Sequence, residues 1–226
     1  MKFNIQQLTL LIFMPLFLTS CFENETVVIN EENEENLYID DDLTSLMKSV
    51  TSHKAYYDDF IDDSHCFSIN FPYEIIINNE AHEINTYDDL DEYSDVDYEI
   101  ELVYPLSISL TNFEIHNINN ETELNRLKLQ CNEGILYDEH IECAEFVYPI
   151  KLTTYNTQSR RFDLIEINND KDTFSFLNEL DNYSIFRLVY PANIYMFQQE
   201  YFSIENNFSL ETHFKIAHNT CGIRDE

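Results

Sequence analysis

The sequence predicts an α+β fold: four strand–strand–helix repeats in two pseudo-equivalent halves, with antiparallel sheet carrying helices on one face. Three observations predict it. An aromatic–proline pair opens four similar segments, "FPYEIII" from Phe71, "YPLSISL" from Tyr104, "YPIKLTT" from Tyr148 and "YPANIYM" from Tyr190. A second apolar run in each ends at an isoleucine (Ile84, Ile118, Ile167, Ile204), and Leu90, Leu124 and Leu210 follow at one fixed interval. The third copy has a longer turn and places Phe174 one position later. Finally, Cys66, Cys131, Cys143 and Cys221 stand at matching places in the paired copies.

The elements of one copy follow in order. After the proline the chain alternates or runs apolar, which is strand behaviour. Proline has no N–H for a sheet ladder, so it belongs at the strand entrance, where a donor can be spared. A polar turn comes next, often with Asn, a residue that tolerates the left-handed backbone. The second strand ends at the isoleucine. Thr86 with Asp89, and Asn120 with Glu123, then have the spacing of a helix N-cap and its box partner, so a short helix completes the copy.

Flanking segments complete the plan. Residues 1–20 have Lys2, an apolar run Leu8–Leu18 and small residues before Cys21. The run is about half the ~20 residues that span a bilayer, so it reads as a signal peptide. Leu18-Thr19-Ser20-Cys21 has the form of a lipobox, which makes Cys21 the lipidation site. Residues 21–42, rich in Glu and Asn, read as an acidic tether. In the segment 43–65, Leu43, Leu46, Met47 and Val50 have helical spacing, and this helix is expected to pack on the first half. Lys54–Ser64 is expected to be linker. Half one spans 66–131, a linker 132–142, half two 143–221 and a tail 222–226.

An even number of cysteines in an exported chain reads as disulfides. Cys66 and Cys143 precede their prolines by the same interval, while Cys131 and Cys221 close the helices of copies two and four. The preferred pairing is Cys66–Cys131 and Cys143–Cys221, one staple for each small core. The other two connectivities respect the same symmetry and stay open.

The pieces "CFSINFPYEI", "CAEFVYPI" and "INNETEL" resemble the repeats of an uncharacterised group of Bacteroidetes lipoproteins over roughly residues 66–221. The resemblance implies a repeat fold and an outer-membrane location, periplasmic or surface-exposed, and brings no activity. Almost no glycine in the turns and the basic pair Arg160-Arg161 are departures from that group.

Twelve Lys and Arg against 43 Asp and Glu give a net charge of −31, which repels nucleic acid and anionic lipid head groups. The expected partners are the membrane, through the lipid on Cys21, and an envelope protein or glycan. No cofactor is expected. Only Gly134 and Gly222 are present, and no nucleophile elbow or glycine-rich phosphate loop occurs, so the reading is a non-catalytic interaction or structural module. The alternative is a carbohydrate- or calcium-binding accessory lipoprotein, and a hydrolase built on carboxylates such as Asp88–Asp97 comes after it. Tyr104, Tyr148 and Tyr190 share one repeat position and are candidate binding aromatics, against the simpler reading that each packs on its neighbour. Asn168, Asp170, Asp172 and Glu179 fit a calcium loop loosely, with Thr173 in place of the turn glycine. The pairs His140/Cys143 and His218/Cys221 have zinc-like spacing, but their cysteines are not equivalent in the repeat, so no metal site is assigned.

Overall fold

The computed structural model describes residues 35–94, 99–197 and 199–221; the expected signal peptide, the expected lipidation site Cys21 and the tail lie outside them. Among the described residues, twelve strands form four three-stranded antiparallel sheets, and six α-helices pack with them, so the α+β expectation holds. Each copy holds three strands, one more than the sequence suggests. A short lead strand comes first: β1 (Phe67–Ile69), β4 (Ile100–Leu102), β7 (Ala144–Phe146) or β10 (Ser184–Leu188). A cis X–Pro bond follows at Pro72, Pro105, Pro149 or Pro191, just outside the strands. The hairpins are then β2 (Tyr73–Ile77) with β3 (Glu80–Ile84), β5 (Leu106–Leu110) with β6 (Ile115–Ile118), β8 (Ile150–Asn156) with β9 (Arg161–Ile167), and β11 (Ala192–Met196) with β12 (Glu200–Ile204).

The lead strand never joins the hairpin of its own copy. β1 pairs with β5 and β4 with β2, while β7 pairs with β11 and β10 with β8. The two copies of a half therefore complete each other's sheets. Around each proline the N–H two residues before it donates to the carbonyl two residues after the sister proline. These bonds are Asn70 to Ser107 (2.7 Å), Val103 to Glu74 (3.0 Å), Val147 to Asn193 (2.8 Å) and Val189 to Lys151 (2.8 Å). The four repeated bonds make the pseudo-twofold relation within each half explicit.

Every copy ends in a capped helix. Thr86 caps the helix Tyr87–Asp91 through a capping box with Asp89. Asn120 caps Glu121–Asn132, Asn169 caps Asp170–Asn178, and the Asn206 side chain accepts from Ser209 N at the start of Asn207–Cys221. These caps satisfy N–H groups that a helix start would otherwise leave orphaned. Gly134, at φ 66°, ends the second of these helices in a Schellman motif, with Gly134 N bonded to Cys131 O and Ile135 N to Gln130 O. The Asn-based turn holds in copy one, where Asn78 and Asn79 both have positive φ. In copies two and three the left-handed positions fall to Phe113 and Arg160.

Two cores lie inside the unit Glu34–Glu226. One gathers Phe67, Ile69, Ile75, Ile108, Leu124 and Leu127 from half one; the other gathers Phe146, Leu152, Phe186, Ile194, Leu210 and Phe214 from half two. Cys66 is bonded to Cys131 and Cys143 to Cys221, one bridge in each half.

Three expectations change in the N-terminal region. The helix Asp42–Val50 packs on half two, not half one: Leu43, Met47 and Val50 join the core of Phe214 and Ala217. That core offers the helix a larger apolar seat, between Asp170–Asn178 and Asn207–Cys221. The end of the expected tether is also seated, with Leu37 bridged to Phe186 by backbone bonds of 2.8 and 3.0 Å. Lys54–Ser64 is no linker. It forms a 3-10 turn (Tyr56–Asp58) and a short helix (Asp59–Asp62) against half one, burying Ala55, Asp58, Asp62 and Ser64. Phe113 sits where the halves meet, its ring 5.5 Å from His53 and 5.6 Å from Phe174. Packing on both sides offsets the cost of a bulky residue in the left-handed region.

Candidate functional site

In copies one, three and four the aromatic before the proline contacts the first residue of its own copy's helix. Phe71 meets Tyr87 edge-on at 5.0 Å. The Tyr148 hydroxyl donates to Asp170 Oδ1 at 2.7 Å and lies 3.0 Å from Thr173 Oγ1. Tyr190 donates to Asn207 Oδ1 at 2.6 Å. Tyr104, half-buried, is raised in pKa by burial and by the Glu121 carboxylate. Tyr148 and Tyr190 thus brace the proline turn on the helix start, and the same role falls to Phe71 without a hydroxyl, while Tyr104 feels the charge of Glu121 at the start of its helix.

Asn168, Asp170, Asp172 and Glu179 do not converge. Asp170 opens the helix Asp170–Asn178 and Glu179 follows its end, about 13 Å away at ~1.5 Å rise per residue. Asp172 is held by the Asn169 cap at 2.8 Å, and Asp170 by Tyr148. The four form a capped helix and not a calcium loop. Among the described residues, His65, Cys66 and Cys131 bring three ligand-type atoms close enough to share an ion, but both sulfurs belong to the disulfide.

A cleft of about 970 Å³ opens beside Cys143–Cys221. Its walls include Tyr56, Glu142, Glu145, Tyr195, Met196 and Gln199. Glu145 and Tyr195 of these walls belong to the sheet β12–β11–β7, where Glu145, Tyr195 and Tyr201 lie side by side across three strands. The tyrosine rings are 5.7 Å apart at 65°, and the residues are 41% and 55% exposed. The register shows that the fold does not require them. At the position of Tyr195 the other copies carry Ile76, Ser109 and Thr153, and opposite them Ala81, Ile115 and Leu164.

Charge gathers at the rim. Lys54 forms an ion pair with Glu145. Burial alone would lower the Lys54 pKa, but the bond to Glu145 and its charge leave it raised. Burial, then the Asp59 charge, raises Glu142, with Lys54 opposing. Burial also raises Asp170. Behind the rim, Ser52 Oγ donates to Ser49 O at 3.0 Å and lies 2.7 Å from His140 Nδ1. Ser52 is itself buried. Burial, with the Lys54 and His53 charges, holds His140 down at about 4, so the ring is neutral.

Reading the sequence by repeats found the scaffold tyrosines and missed the Tyr195/Tyr201 face. The signal was present: four positions after the prolines stand Ile76, Ser109, Thr153 and Tyr195, one exposed aromatic among smaller or aliphatic siblings. No family model, no curated protein and no solved structure matches the chain.

Proposed function

We propose that this chain is a lipid-anchored, non-catalytic binding module of the cell envelope that holds a neutral glycan on the Tyr195/Tyr201 face. The carrying observation is the row Glu145–Tyr195–Tyr201 beside an open cleft, at positions where the sister copies need no aromatic. Exposed tyrosine rings offer apolar faces to the C–H faces of sugars. Glu142, Glu145 and Gln199 offer hydrogen-bond partners for hydroxyls. The net charge of −31 disfavours anionic polysaccharides and nucleic acid. Two disulfides fit an oxidising compartment, and Leu18–Cys21 supplies the lipidation sequence, as in the Bacteroidetes lipoproteins that the repeats resemble. The test is a glycan array probed with the secreted Cys21→Ser chain, paired with surface labelling of cells carrying the native chain. Binding of uncharged glycans supports the reading; a blank array, or binding confined to acidic glycans, rejects it.

A further inference from the structure

The segment "YDDFIDD" carries like-charged pairs one helical turn apart: Asp58 with Asp62, and Asp59 with Asp63. Such pairs repel on an isolated helix. Asp63 points to solvent, but Asp58 and Asp62 are both 0% exposed in the core of half one. Each has one oxygen fixed by a backbone N–H. Asp58 Oδ2 accepts from Ile69 at 2.6 Å and Asp62 Oδ1 from Ser64 at 3.0 Å. The other oxygens, Asp58 Oδ1 and Asp62 Oδ2, are buried with no hydrogen-bond partner. The hydroxyl of Tyr73, a residue only 6% exposed, is a third buried polar group without one. It stands in the field of both carboxylates.

Buried polar atoms without partners are rare because each carries its full desolvation cost, and two buried carboxylates cost far more. We propose that Asp58, Asp62 and Tyr73 form a binding site for a hard divalent cation of the calcium class. The donor set is all oxygen, which suits calcium over zinc or copper. A divalent charge balances two carboxylates. Around the site stand Asp59 and Tyr57 from the same segment and Lys128 from Glu121–Asn132. The only cation among these groups is too weakly felt at Asp62 to balance the pair. With no exposed path to the oxygens, the ion enters as the segment docks on β1 and β2.

The rival occupant is a proton, which would leave the pair neutral and independent of calcium. The disulfide-intact Cys21→Ser chain is unfolded in denaturant and refolded at pH 7.5 with CaCl2 or with EGTA, in 150 mM KCl to screen the acidic surface. Bound calcium is counted by elemental analysis and melting is followed in parallel. The expected result is one tightly held calcium per chain and a higher melting temperature in CaCl2. Asp58→Asn/Asp62→Asn should lose both effects while still folding, since amides remove the buried charge. Asp88→Asn/Asp91→Asn, at the exposed end of copy one, should keep them. No calcium after refolding, or equal calcium and equal melting shifts in the buried-pair variant, overturns the proposal.

Discussion

Val147 donates its backbone N–H to the Asn193 carbonyl at 2.8 Å, and Val189 returns the equivalent bond to Lys151 at 2.8 Å. Copies three and four are thereby interlocked, each lending its first strand to the other's hairpin. Such a half has no part that can bury its core alone. Phe146→Ala on β7 should cost about 3–5 kcal/mol, because its ring packs edge-on against Phe214 at 5.3 Å. Hydrogen exchange should then speed up in β11 and β12 of copy four as well as in copy three. Faster exchange confined to copy three would contradict the interlock.

Tyr148 and Asp170 give a second prediction. Tyr148→Phe should fold, since phenylalanine already occupies the same place at Phe71, yet lose about 1 kcal/mol with the hydrogen bond to Asp170. Denaturant unfolding measures this. The Tyr195/Tyr201 face should be unaffected.

The bridges close long loops, with sequence separations of 65 and 78 residues. Loop-entropy reasoning gives each about 4 kcal/mol of stabilisation. Cys143→Ser/Cys221→Ser should therefore unfold at distinctly lower denaturant, and Cys66→Ser/Cys131→Ser likewise. Peptide mass mapping of the native chain should show no Cys131–Cys143 peptide.

His140 gives a pH dependence with a definite sign. Its folded pKa, about 4, lies below the ordinary value of 6.5, so folding favours the neutral ring. The contribution is present above pH 6.5 and is lost as pH falls towards 4. His140→Gln removes the titration and keeps a donor for Ser52. Between pH 6.5 and 4, the melting temperature of the native chain should fall more steeply than that of the variant.

The repeat plan was legible because proline, isoleucine and cap residues recur for backbone reasons that hold in every copy. The N-caps Thr86 and Asn120 sit where their spacing predicts, and the cysteines pair within halves. The lead strands were less visible, since β1, β4 and β7 have only three residues each, too few for a periodic signal. The segment Lys54–Ser64 was misread for a different reason. Four aspartates signal solvent by composition, and only tertiary packing turns Asp58 and Asp62 inward. Likewise Leu43, Met47 and Val50 reveal an apolar helix face but not which core receives it. The Tyr195/Tyr201 face was open to a position-by-position comparison of copies, which the search for shared residues passes over.

The most direct measurement transplants the third copy's own pair into the fourth. Tyr195→Thr/Tyr201→Leu installs the pairing that Thr153 and Leu164 already make in the same fold. The account predicts unfolding within about 0.5 kcal/mol of the native chain, as for surface changes generally, with the neutral-glycan signal lost. Glycan binding that survives the transplant would contradict it.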